Sequence, residues 1–174
     1  MQFSQLIKAR KSIRGYLQKP VPREVIEEII EVAKWAPSSM NTQPWHVHVV
    51  TGSVLDRIRQ GNSDNMLAGV PPKRDFPMKE AYEGVHRFDL GAFSHAIVLA
   101  AWERGLGCVI NGQGIMQSKV VREHAQIPDD QNIMICIAMG YPDASFVAND
   151  VKSVREDNAT FVRYLGFDET ENAK

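Results

Sequence analysis

Only two cysteines, Cys108 and Cys136, occur in the 174 residues of this chain, without the paired spacing that a zinc site or a dithiol redox motif requires. Both lie in apolar runs and read as buried, reduced core thiols. A charge excess is missing as well. Twenty basic side chains stand against 21 acidic ones, a net charge of −1, which removes any global attraction to nucleic acid or an anionic membrane. Any positive site must be local. The longest apolar runs, such as Ala96 to Trp102, fall far short of the roughly 20 residues that cross a bilayer. Met1-Gln2-Phe3-Ser4-Gln5 lacks the charged-then-apolar pattern of a signal segment, so the cytoplasm is the expected location. Internal repeats, a serine triad, a catalytic carboxylate pair and a glycine loop ending in Lys-Ser or Lys-Thr are all missing.

What is present fits one domain spanning 1–174. The apolar content is 44% and the charged content 24%, typical of a soluble globular protein with a real core. Phe3, Leu6 and Ile7 have helical spacing and predict a short helix over 2–10. Pro22 suits the first turn of a second helix, in which Val25, Ile26, Ile29, Ile30 and Ala33 recur at steps of three and four until Pro37 forbids continuation. His46 to Thr51 alternates and is β-branched, which predicts a strand. His46 and His48 share its face, but no third ligand accompanies them and no metal site is expected. Residues 59–76 are polar and broken by Gly61, Gly69, Pro71 and Pro72, which predicts a long loop; a short helix over 77–88 follows. Asp89 to Arg104 is apolar nearly all round, a helix either buried or shared with another subunit, and Gly105 and Gly107 end it. Cys108-Val109-Ile110 reads as a strand, Ser118 as the cap of a helix through His124, and Ile133 to Met139 as a covered strand. Alternating helices and strands imply a layered arrangement of both. From Tyr141 the sequence turns irregular and charged, yet Phe146, Val147, Val151, Val154, Phe161, Val162, Tyr164, Leu165 and Phe167 interrupt it. Residues 143–174 are therefore expected to form an arm that packs on something, most naturally a second subunit.

Three stretches carry chemistry. Arg10, Lys11 and Arg14 bring three cations within five residues around the Ser12 hydroxyl, a local site for a dianion or else a solvated basic turn at a helix end. Ala36-Pro37-Ser38-Ser39-Met40-Asn41-Thr42-Gln43-Pro44-Trp45 is a polar loop closed at each end by proline, suited to hold a shape. Gly105-Leu106-Gly107-Cys108-Val109-Ile110-Asn111-Gly112 ends in Asn-Gly, either a plain turn or a place where backbone approaches a flat ligand.

In this order and spacing the three stretches resemble the nitroreductase family of FMN-dependent oxidoreductases, over 1–60 and 89–142 and more faintly over 150–167. The resemblance implies an α+β fold: a layered α/β sandwich with a central mixed sheet flanked by helices, in an intertwined homodimer. It implies FMN as cofactor and NADH or NADPH as co-substrate, with hydride passing through flavin N5 to a small electron-poor acceptor such as a nitroaromatic or quinone. Arg10, Lys11, Ser12 and Arg14 would then contact the FMN phosphate and ribityl chain. Pro37, Ser38, Ser39 and Asn41 would reach the same cofactor from the other subunit. Ile110, Asn111 and Gly112 would run along the ring, with a backbone N–H at N5, and Arg155, with Lys152 nearby, would add a phosphate-binding cation. No catalytic side chain is required, because the chemistry belongs to the flavin. The alternative is a flavin- or ligand-binding dimer of the same scaffold without efficient turnover. Family members usually have a further apolar strand before the long helix, and nothing in 61–88 looks like it. The sheet is then smaller, another segment takes that place, or the chain is a reduced version.

Overall fold

The computed structural model describes residues 2–75 and 85–165. Helices α1 (Phe3–Ala9) and α2 (Arg23–Ala33) lead to a short turn at Ser39–Asn41. Then follow α3 (Gly52–Leu67), α4 (Val85–Glu103), strand β1 (Gly107–Asn111), α5 (Ser118–Ala125) and strand β2 (Cys136–Gly140). The strands β1 and β2 are antiparallel, with Cys108 opposite Met139 and Asn111 opposite Cys136. Residues 12–16 extend the sheet without forming a full strand: Ser12 bridges Cys108 in the parallel sense and Tyr16 bridges Pro142 in the antiparallel sense. The expected mixed sheet is thus reduced, among the described residues, to a two-stranded ladder with a mixed-sense strap on its edge.

Alternation along the strands sends successive side chains to opposite faces, and the core divides accordingly. Cys108, Ile137 and Met139 join Ile29 and Ala33 of α2 and Phe93, Ile97, Val98, Ala100 and Ala101 of α4. Cys136, one step out of phase with Ile137, joins Ile58 of α3, Val121 of α5, Ile115 and Ile133. Trp45 stacks on Phe93 with ring centroids 4.6 Å apart. The result is helices, sheet, helices in layers. Among the described residues no helix is long and apolar enough to cross a membrane.

Several expectations need correction. Residues 59–67 are not loop but the second half of α3. Val54, Ile58, Gly61, Asn62 and Asn65 form its covered face, and a β-carbon on Gly61 would stand 2.6 Å from the Val120 side chain. The glycine that reads as a breaker lets α3 approach α5. The strand expected over 46–51 is unpaired, and no backbone hydrogen bond joins residues 44–50 to another described segment. The outer edge of β1 is taken by the strap, where Ile13 N–H donates to Cys108 O at 2.9 Å, while β2 has no strand but β1 beside it among the described residues, so strand composition alone does not bring this run onto the sheet. The strand expected from Ile133 begins only at Cys136. Before it, Ile133 N–H donates to Asp75 Oδ2 and Gln131 O accepts from Arg122, so side chains replace a neighbouring strand. Gln117, not Ser118, precedes the first turn of α5, and Ser118 Oγ accepts from Asp75 N–H instead. Gly105, at φ +74°, ends α4 as expected, whereas Gly107 opens β1. The helix expected over 77–88 lies outside the described residues up to 84, and 85–88 belong to α4.

Candidate active site

The cation stretch leaves α1 through Arg10, whose N–H still donates to Leu6 O, and then runs extended along the sheet. Period-two alternation buries Ile13 and Gly15 while Arg14 points outward and Ser12 is half-buried. Ile13 is 1% exposed, and its side chain fills the space that a β-carbon on Gly107 would need. Tyr16 Oη donates to Ile13 O at 2.6 Å and to Ala138 O at 3.2 Å. Burial pushes the Tyr16 phenol well up, so it stays a donor at any ordinary pH. Burial also pushes the Cys108 thiol up to about 12, with the nearby Arg10 guanidinium opposing the shift. Among the described residues no carboxylate pairs with Arg10, Lys11 or Arg14. Three cations without a carboxylate partner among the described residues therefore sit on a strap bonded to the sheet, a donor set that fits a phosphate dianion.

The proline-bounded loop is held in an unusual shape. Met40, Asn41 and Gln43 have φ of 50°, 57° and 47°, in the left-handed region that costs an ordinary residue roughly 1 kcal/mol or more. Two anchors fix it. Ser39 N–H lies 3.2 Å from both carboxylate oxygens of Asp89, a residue of α4 that is 3% exposed, and Ser38 Oγ accepts from Gln43 N–H at 3.0 Å. Met40 projects outward, 95% exposed. Strain of this kind accumulates where a loop is preorganised for a ligand or partner.

The third stretch is the end of β1. Ile110 is exposed, Asn111 Oδ1 accepts from Gly114 N–H at 3.0 Å, and Gly112 faces Arg74, whose guanidinium would be 3.0 Å from a β-carbon there. Within one chain, residues 10–14 and the strand leading to 110–112 lie side by side on the sheet. Residues 37–41 are instead anchored on α4, with no hydrogen bond to either among the described residues. Arg155 is exposed, and among the described residues its Nη1 donates only to Ser153 O and Val154 O.

Sequence reasoning missed four residues here. Arg74 and Asp75 fell in the expected loop, but the Arg74 guanidinium lies against Gly112 and Asp75 forms a largely covered ion pair with Arg122 at 2.6 Å. Asp89 anchors Ser39 from 50 residues away. Asn149 binds the strap from 135 residues away. None is marked by local spacing, and only the folded contacts reveal them.

A family model described as the Nitroreductase family matches residues 7–87 and 79–141. The chain belongs to the nitroreductase family. The chloronitrobenzene nitroreductase of Comamonas testosteroni is 28% identical over 216 aligned positions, covering 92% of this chain and 95% of that protein. The nitrobenzene nitroreductase of Ectopseudomonas oleovorans is 29% identical, covering 90% and 95%. Because 216 aligned positions exceed the 174 residues present, these relatives carry residues that this family member lacks. The two pieces of the family match meet at 79–87, inside the region where no further strand was legible. Among solved structures, the FMN and NADPH-dependent nitroreductase NfnB from sphigopyxis sp. strain HMH superposes with a TM-score of 0.89 at 18% identity, covering 96% of this chain and all of that one. The FMN-dependent nitroreductase NfnB from Mycobacterium smegmatis, in complex with NADPH, gives 0.83 at 21%, covering 92% and 96%. At these identities the likeness establishes the nitroreductase fold.

Proposed function

We propose that this chain is an FMN-dependent oxidoreductase that uses NADH or NADPH to reduce a small electron-poor acceptor, a nitroaromatic or a quinone, and that it acts as a homodimer in the cytoplasm. The observation that carries this reading is the strap of cations, Arg10, Lys11 and Arg14, with no carboxylate partner among the described residues and fixed to the sheet beside the strand that ends at Asn111. Arg10, Lys11 and Arg14 neutralise the flavin phosphate, and the Ser12 hydroxyl donates to it. Ile110 packs beside the ring, and the N–H of Asn111 or Gly112 donates to N5. Bound FMN supplies a ring whose N5 takes hydride from the reduced nicotinamide and passes it on. Pro37, Ser38, Ser39 and Asn41 come from the second subunit, which accounts for a preorganised loop with no ligand-side partner in its own chain. Arg155 adds a cation from the arm.

Two surfaces support the dimer. Phe88, Gly91 and His95 of α4 form an open stripe at helical spacing. Residues 146–165 expose Phe146, Val147, Val151, Val154, Phe161, Tyr164 and Leu165. Residues 1–174 are one domain in this reading; the arm expected from 143 is corrected at its start, because residues 143–149 are held on the strap of their own chain, and the part from 151 lies on the partner.

A visible spectrum of the purified protein under nitrogen tests the proposal. The expected protein is yellow, bleaches on addition of NADH or NADPH, and regains its colour when a nitroaromatic is added. A protein that stays colourless after incubation with FMN overturns it. A second reading, a flavin-binding dimer without efficient turnover, draws on the residues that the relatives carry and this chain lacks. It expects a yellow protein that reduced nicotinamide fails to bleach.

A further inference from the structure

We propose that Asn149 is the positioning residue of the phosphate corner, and that the start of the C-terminal arm sets how the strap presents its cations. The inference rests on the reading of the strap as a flavin-phosphate site. Asn149 is 3% exposed and its side-chain amide is fully used. Oδ1 accepts from Arg14 N–H at 2.8 Å and Gly15 N–H at 3.1 Å, and Nδ2 donates to Gly15 O at 2.8 Å and Asp143 O at 2.9 Å. The ladder leaves a gap here. Ile13 N–H is satisfied by Cys108 O on one side and Leu17 N–H by Tyr141 O on the other, but no strand backbone meets Arg14 N–H or Gly15 N–H. One amide side chain takes the place of the missing strand.

The turn that carries it is internally knit. Asp143 Oδ1 accepts from Ser145 N–H and Ser145 Oγ, Phe146 N–H donates to Asp143 O, and Asn149 N–H donates to Phe146 O at 2.8 Å. The Phe146 ring covers Gly15 so closely that a β-carbon there would run into it. Residues 143–149 thus clamp the Arg14–Gly15 peptide from one side with a ring and an amide. The direction of the Arg14 side chain follows from the peptide that Asn149 fixes, and Ser12 lies two residues back on the same edge. Asn149 touches no ligand in this scheme and acts through the strap.

The test compares two ligands that differ only in the phosphate. Dissociation constants of FMN and riboflavin are measured by flavin fluorescence on apoprotein, for the wild type and Asn149→Ala, with thermal melts of each apoprotein. FMN binding is expected to weaken by at least about tenfold, the scale of one charge-assisted hydrogen bond, while riboflavin affinity changes less than about twofold. A purely structural role would lower both affinities together, and that result overturns the inference, as does no change in either. Should Asn149→Ala fail to fold, Asn149→Ser, whose hydroxyl still accepts one N–H, is read in the same way. In the wild type, amide exchange at Arg14 and Gly15 should slow on adding FMN and not on adding riboflavin; equal rates with both ligands count against the clamp. A wild type that binds riboflavin as tightly as FMN overturns the phosphate reading and the inference with it. A wild type that prefers FMN, with Asn149→Ala keeping that preference, overturns the inference alone.

Discussion

Residues 10–16 and residues 151–163 both carry cations, and they are built in opposite ways. The first stretch is tied on both sides, by Cys108 O, Asp143 N–H and Asn149, with Ile13 and Gly15 buried. In the second, no hydrogen bond reaches the rest of the described chain. Its short turn at Asn158–Thr160 is capped only by its own Asp157, and Val154 is 90% exposed. A cation on a fixed backbone meets an anion with little further ordering, whereas a cation on an uncovered arm must first be ordered. One half of the proposed site is therefore complete within a chain, and the other half awaits a second copy.

The largest effect should come from the fixed half. Replacing Arg10 and Arg14 together by alanine removes two charge-assisted contacts, each worth about 1.5–3 kcal/mol, so FMN affinity should fall by more than about 100-fold and the protein should purify colourless. Retained colour would break the contrast at its stronger end. Next comes the arm. A chain ended after Asp150 keeps the Asn149 clamp, so its helical circular dichroism should be preserved while light scattering reports a monomer and flavin content drops. A truncated chain that remains a dimer would mean that the stripe on α4 suffices.

Alkaline pH probes the core under the strap. The Cys108 thiol is raised from 9.0 to about 12 by burial, so the folded state holds its proton more tightly than the unfolded state. Below pH 9 this stabilisation is fully present. Between pH 9 and 12 only the unfolded thiol releases its proton, and stability should decline by up to about 1.4 kcal/mol per pH unit. Urea melts across that window check the slope, and Cys108→Ala should reduce it without abolishing it, because burial also raises the Cys136 thiol and the Tyr16 phenol.

How much of this was legible depended on whether the cause was local. α1, α2, α4 and β1 follow from apolar spacing and from the glycine at 105, and the cation strap from a charge run; α5 was expected in its place, but on a Ser118 cap that Gln117 supplants. α3 did not follow, because its covered face mixes Gly61, Asn62 and Asn65 with Val54 and Ile58, and the need for Gly61 comes from Val120 on another helix. The 46–51 run has strand composition, but pairing is a long-range contact that the composition of one segment does not secure. Within the site, the loop and the Asn-Gly end of β1 were visible as motifs. Their supports, Asp89, Asn149 and the Asp75–Arg122 pair, act across long separations and leave no pattern in the sequence.

A smaller effect tests the packing of the clamp itself. Gly15→Ala forces a methyl group against the Phe146 ring and should cost about 1–3 kcal/mol, as overpacking does, read as a lower melting temperature. Phe146→Ala in the same chain should recover part of that loss. Additive losses would place the strain elsewhere than at this contact.

The smallest effect belongs to Arg155. A salt bridge or phosphate contact from this side chain gains about 1.5–3 kcal/mol, but ordering a long flexible side chain costs about 2 kcal/mol, and among the described residues its guanidinium bonds only the carbonyls of Ser153 and Val154. The difference leaves at most about 1 kcal/mol, so Arg155→Ala should weaken FMN binding by no more than about fivefold. A loss as large as that of the Arg10 and Arg14 replacement, measured on the dimer, would mean that the partner subunit fixes the arm as firmly as the sheet fixes the strap, and the contrast between the two halves would hold only for the isolated chain.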